Sequence, residues 1–144
     1  MVDRCKVCIA GKYSKEGSSH CTFCESGKAS NNQSSGCGIC PKGRISSIGD
    51  ENCTDCKAGK FSSTISAYEC EACAKGKYSS GSQYLPEGVN ASWWYPPVDA
   101  STLCRSCPYG RYSEIEAWNC TICEAGKYAL ATSGYCSNCD NGTY

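Results

Sequence analysis

The residues best equipped for chemistry in this chain are its cysteines. All 16 stand in Cys-x-x-Cys pairs, whose first members are Cys5, Cys21, Cys37, Cys53, Cys70, Cys104, Cys120 and Cys136. Three chemistries use that spacing. A dithiol redox centre needs one pair at a helix start within a βαβ unit, where the helix N-terminus favours the thiolate. Zinc sites take two pairs, and the twelve residues between Cys8 and Cys21 are close to the gap of zinc ribbons, so eight pairs would hold four ions. Structural disulfides are the third use and require an oxidising compartment. The even count permits full pairing, and eight pairs without a βαβ pattern argue against redox catalysis. Sequons tilt the balance from zinc towards oxidation. Asn32, Asn52, Asn90, Asn119 and Asn141 all lie in Asn-x-Ser/Thr, five of only seven Asn in the chain, a pattern expected of N-glycosylation during secretion.

Other chemistry finds little support. His20 is the only histidine, so neither a Ser-His-Asp nor a Cys-His arrangement can be assembled elsewhere. The carboxylates are scattered, and Glu114 with Glu116 reads as a solvated pair on one strand face. No phosphate-binding glycine loop or calcium-loop pattern occurs. Lys plus Arg and Asp plus Glu each number 14, for zero formal charge, which weakens any nucleic-acid reading. No apolar run approaches membrane-spanning length. The expectation is therefore a protein without enzymatic activity, cofactor, metal, nucleic-acid partner or membrane insertion within this chain. Met1 to Arg4 lack the apolar stretch of a signal peptide, so a secretory signal would lie outside this sequence.

What positions the cysteines is a repeat. The pairs recur mostly every 16 residues, with one step of 17 and one of 34. Six residues after each first Cys stands Gly: Gly11, Gly27, Gly43, Gly59, Gly76, Gly110, Gly126 and Gly142. Lys or Arg follows in all but the last unit, then an aromatic at Tyr13, Phe61, Tyr78, Tyr112, Tyr128 and Tyr144, with Ala29 and Ile45 as the exceptions. Ser comes next in every continuing unit except at Ala129. The fixed Gly implies a positive φ or a backbone too crowded for a Cβ. The aromatic is expected to pack on neighbouring disulfides and on the next unit, with the adjacent Lys or Arg laying its stem over the ring. The Ser-, Gly- and Asn-rich returns predict turns and short two-stranded ribbons.

Leu, Ile, Val and Phe together number only 16, too few for an aliphatic core, so disulfides must carry the stability. The repeat ranks their connectivity without closing it. The favoured scheme joins the second Cys of one pair to the first of the next: Cys8–Cys21, Cys24–Cys37, Cys40–Cys53, Cys56–Cys70, Cys73–Cys104, Cys107–Cys120 and Cys123–Cys136. The alternatives close each pair on itself or skip one Cys per unit. The favoured scheme leaves Cys5 and Cys139 at opposite ends, where they would form inter-chain disulfides joining copies head to tail. The fold expected is a small disulfide-rich repeat array, an elongated solenoid-like rod with short β-ribbons and turns and little or no helix. Repeats occupy residues 1–81 and 104–144, the last unit incomplete. Residues 82–103 form a Trp- and Pro-rich unit without Cys, either degenerate or inserted, in which Trp93, Trp94 and Tyr95 replace the missing bridges.

The pattern Cys-x-x-Cys-x-x-Gly-Lys-Tyr-Ser followed by the next pair, as in residues 5–24, 53–73 and 104–123, resembles the cysteine-rich repeats called ephrin-receptor-like. It is also similar to the loop modules of tumour-necrosis-factor receptors. That resemblance implies an elongated extracellular disulfide ladder and, from the receptor modules, supports second-to-first pairing. Long arrays of this kind resemble surface and flagellar-hair (mastigoneme-type) proteins of algae and protists. The unbroken 16-residue regularity differs from the six-Cys blocks of the receptors, so their ligand binding does not carry over. Two functions follow as expectations. One is a subunit of an extracellular fibre, filament, hair or matrix that self-associates into a polymer and bears glycans on Asn. The other is an adhesion or receptor ectodomain fragment that binds a protein or glycan partner through Trp93, Trp94 and Tyr95.

Overall fold

The computed structural model describes residues 5–81 and 102–143; Asn90, Trp93, Trp94, Tyr95 and the Trp- and Pro-rich segment around them lie outside the described residues. The described chain contains no helix and is built from seven two-stranded antiparallel ribbons. They are β1 (Lys12–Tyr13) with β2 (Thr22–Phe23), β3 (Lys28–Ala29) with β4 (Gly38–Ile39), β5 (Arg44–Ile45) with β6 (Thr54–Asp55) and β7 (Lys60–Phe61) with β8 (Glu71–Ala72). The series continues with β9 (Lys77–Tyr78) and β10 (Arg105–Ser106), β11 (Arg111–Tyr112) and β12 (Thr121–Ile122), and β13 (Lys127–Tyr128) and β14 (Ser137–Asn138). Each outgoing strand is the basic-aromatic step after the repeated Gly. Each return strand is the two residues inside the next Cys-x-x-Cys pair. The motif thus places two residues on a strand and one cysteine at either end of it.

The repeated Gly meets both demands inferred for it. Gly11, Gly27, Gly59 and Gly76 have φ between +76° and +82°. A Cβ there would also lie 1.8 Å from the Gly49 carbonyl oxygen, 2.1 Å from that of Ser66, 2.0 Å from Glu116 and 1.8 Å from Thr132, respectively. Those carbonyls belong to a second recurrent left-handed position, six residues beyond the Gly in most units: Gly17, Gln33, Gly49, Ser66, Glu116 and Thr132. Because four of these six are not glycine, composition gives no signal for the position. Each of the last five turns its own N–H back to the preceding unit, donating to the carbonyls of Cys8, Cys24, Cys40, Cys73 and Cys107 at 2.8–3.0 Å. A unit therefore bonds its neighbour and also presses a carbonyl against the unit beyond it. Among the described residues, every strand pair and every backbone hydrogen bond between units joins units adjacent in this order, while the carbonyl contacts and the Lys60–Glu116 ion pair reach one unit further.

The 34-residue step does not interrupt the pattern. β9 and β10 pair like any other ribbon. Gly76 N–H donates to Ser113 O at 2.9 Å, Cys107 N–H to Gly76 O at 2.8 Å and Glu116 N–H to Cys73 O at 2.9 Å, as the corresponding groups do at the junctions of Gly11, Gly27 and Gly43. The units beginning at Cys70 and Cys104 are immediate structural neighbours. Glu114 and Glu116 lie beyond the end of β11 rather than on a strand face, and both are ion-paired, Glu114 to Lys75 at 3.2 Å and Glu116 to Lys60 at 3.5 Å.

Glycine substitution separates the two constraints. Gly76→Ala meets both the positive φ and the Thr132 carbonyl, whereas Gly126→Ala meets only the φ of +80° in open space. The strain of a left-handed alanine is about 1–2 kcal/mol. Gly126→Ala should lose stability by about that much, and Gly76→Ala by clearly more. Thermal unfolding of the oxidised variants measures the difference.

Candidate functional site: the bridged junction

The chemically distinctive feature of this fold is the joint between successive units, and its centre is sulfur. Seven disulfides join Cys8 to Cys21, Cys24 to Cys37, Cys40 to Cys53, Cys56 to Cys70, Cys73 to Cys104, Cys107 to Cys120 and Cys123 to Cys136. Their Cα–Cα separations of 5.6–5.8 Å fall in the ordinary range for unstrained bridges. The geometry follows from the ribbon. The second Cys precedes the Gly turn and the first Cys of the next unit precedes the return strand, so antiparallel pairing brings the two together. Cys5 and Cys139 carry no bridge; Cys5 is exposed and Cys139 half-buried.

The buried side chains of the described residues are almost all cysteine and serine. Cys8, Cys24, Cys40, Cys56, Cys73, Cys107 and Cys120 are buried, with Ala129 as the one aliphatic among them. Ser30, Ser46, Ser62, Ser79 and Ser113 complete the interior, each no more than 6% exposed. The repeated Ser was visible in the sequence without a physical role; its role is a lock between units. Ser30 Oγ donates to Lys12 O at 3.1 Å, Ser46 Oγ to Lys28 O at 3.0 Å and Ser113 Oγ to Lys77 O at 2.9 Å, each reaching the preceding unit. Ser30 and Ser46 Oγ also lie 3.2 and 3.3 Å from the sulfurs of Cys24 and Cys40. A disulfide sulfur has no hydrogen to donate, so each hydroxyl proton goes to the carbonyl and the sulfur is packed against the oxygen. Ser62 instead donates to Thr64 O within its own unit at 3.1 Å.

The aromatic position departs from expectation. Tyr13, Phe61, Tyr78 and Tyr112 are half-buried and Tyr128 is exposed, while the sulfur and serine fill the interior. The basic residue does not stack on its sequence neighbour either. Lys12 Nζ sits 4.1 Å over the ring of Phe23, its partner directly across the ribbon. Adjacent residues on a strand point to opposite faces, whereas opposed residues share one. The same cross-strand relation pairs Arg44 with Asp55 in an ion pair.

Of the sequon residues, Asn32, Asn52, Asn119 and Asn141 are exposed, and Asn90 lies outside the described residues. Asn32 Oδ1 accepts from Ala10 N–H and Asn119 Oδ1 from Cys120 N–H, both at 2.7 Å. Among the described residues no helix is long and apolar enough to cross a membrane. The fourteen bridged cysteines offer no thiolate to a metal. The sequence matches no protein-family model and no curated protein.

Two expectations test this junction. Replacing Cys40 and Cys53 together by Ser removes a loop of sequence separation 13 and should lose about 3 kcal/mol; the same change at Cys73 and Cys104, separation 31, about 3.7 kcal/mol by the loop-entropy relation. Ser46→Ala leaves the Lys28 carbonyl without this partner and should lose about 1 kcal/mol. Denaturant titration measures all three. The second expectation concerns pH. Among the described residues the buried polar side chains are all serines. The exposed pair Lys28–Glu25, 2.8 Å apart, lowers Glu25 and raises Lys28, first through the hydrogen bond and then through charge. Its small contribution is lost as pH falls through the lowered value of Glu25, or rises through the raised value of Lys28. The unfolding midpoint should stay flat between roughly pH 5 and 9 and fall sharply once a thiol reductant is added.

Proposed function

We propose that the chain is a non-enzymatic structural element of the extracellular space, a stretch or subunit of a fibre, hair or matrix whose joints are disulfides. The observation that carries this reading is the repeated joint itself, seven bridges of one geometry with a cysteine-serine interior. Disulfide-dense interiors of this kind belong to oxidising compartments. A joint rebuilt at every repeat gives length and resistance to unfolding rather than a reaction centre. The extracellular cysteine-rich repeats that the sequence resembles point the same way.

Self-association is the finer part of the proposal. Cys139 is a second cysteine and Cys5 a first cysteine, the two kinds that bond across every joint, and neither is bridged. A second copy set head to tail would bond Cys139 to Cys5. Such a contact does not close on itself and so generates a filament.

Oxidised material should run as a ladder of multimers on a non-reducing gel, collapse to monomer with reductant, and appear as filaments by electron microscopy. Cys5→Ser with Cys139→Ser should abolish the ladder and leave the seven internal bridges intact. A clean monomer without reductant at high concentration would sink the head-to-tail joint.

A further inference from the structure

The second unit breaks the repeat where it matters for the surface. Ala29 occupies the position held by Tyr13, Phe61, Tyr78, Tyr112 and Tyr128 in other units. The space left there is an open cleft of about 500 Å3, within the range of small-ligand sites. Its floor is Ala29, Gly36 and Gly38; no atom lies within 4 Å of a Cβ built on Gly36, and only the Ala29 carbonyl, at 3.7 Å, approaches one on Gly38. Ile39 adds an apolar side chain to the lining, Arg44, itself ion-paired to Asp55, and Glu51 add a donor and an acceptor, and the sequon residue Asn52 lines the cleft as well.

Asn119 stands at the same phase of its own unit as Asn52, and there the equivalents of Ala29, Gly36, Gly38 and Glu51 are Tyr78, Leu103, Arg105 and Trp118. Small residues have been replaced by large ones around one sequon and not the other. A mixed lining suits a pyranose ring, whose C–H faces are apolar and whose hydroxyls both donate and accept. An aromatic guest would not need the flanking Arg and Glu.

We infer that the Ala29 cleft seats the innermost sugar rings of an N-glycan carried by Asn52, taking the place of the missing aromatic side chain. This rests on the extracellular reading, which brings the chain past the glycosylation machinery. Attachment joins Asn52 Nδ2 to the anomeric carbon of a glycosyl diphosphate donor; the C–N bond forms, the C–O bond to the diphosphate breaks, and the amide gives up one proton. Nothing else is consumed.

The test uses the full chain secreted from a eukaryotic host, with site-resolved glycopeptide mass spectrometry during enzymatic deglycosylation of the folded protein. Release at Asn52 should be about tenfold slower than at Asn119 or Asn141, the factor given by 1.4 kcal/mol of differential protection, and the rates should converge after reduction and denaturation. Ala29→Tyr, which restores the repeat, should erase the difference with all seven bridges retained. Gly36→Leu, which places the residue found at Leu103, should do the same. Equal release rates in the folded chain, a bare Asn52 beside occupied Asn119 or Asn141, or a difference that survives both substitutions would each overturn the inference. Sugar at none of the four exposed sequons would instead strike the extracellular reading on which it rests.

Discussion

The bridge between the second cysteine of one unit and the first cysteine of the next sets the terms for the rest of this structure. With so few aliphatic residues, hydrophobic burial cannot offset the conformational entropy of ordering the chain. The bridges act on the other side of the balance by restricting the unfolded ensemble. Among the described residues the folded interior is small: sulfur, serine hydroxyl, one alanine methyl and backbone. The hydroxyls of Ser30, Ser46, Ser62 and Ser113 are tolerated there because each donates to a carbonyl. Larger apolar side chains have no interior to enter, which is why Ile39, Ile48, Ile65, Ile115 and Ile122 stand exposed.

Bridges alone would leave a chain of loosely jointed loops. The left-handed residues Gly49, Ser66, Glu116 and Thr132 remove that freedom, each acting in two directions. The N–H of each holds the unit before it, and its carbonyl rests on the glycine of the unit before that. Coupling thus extends past the nearest neighbour, beyond the usual description of solenoids. The join between the units at Cys70 and Cys104 shows how strongly the joint specifies itself. Its ribbon, its backbone bonds and its bridge are those of the joints at Cys8, Cys24 and Cys40, although the sequence between them is twice as long. Added loop length raises closure entropy only slowly, so an extended connection is compatible with a standard joint. Two ion pairs, Lys60–Glu116 and Lys75–Glu114, span this region, though exposed pairs add little stability.

A framework held this way leaves its surface free to vary, and function has to be sought there. A cleft lies where Ala29 stands in place of an aromatic, with Cys53 of the Cys40–Cys53 bridge in its lining. Cross-strand neighbours set local chemistry, as with Lys12 over Phe23. The proposed array, decorated by sugars and extended through Cys5 and Cys139, would draw on each of these features.

Much of this was legible in the residues. The period, the glycine, the scarcity of helix and the dependence on sulfur follow from spacing and composition. Bridge pairing could be ranked from the repeat but not closed, since several connectivities satisfy the same spacing. The role of the serine was hidden because its acceptor, a lysine carbonyl, lies eighteen residues upstream in the preceding unit. The left-handed position was hidden because Gln33, Ser66, Glu116 and Thr132 occupy it; neighbouring units impose that backbone, and side-chain preference does not. Stacking of lysine on the ring opposite it was likewise decided by strand pairing. Residue order thus determined the unit and its covalent chemistry, while contacts between units, which no single repeat contains, decided what is buried, what is strained and where a cleft opens.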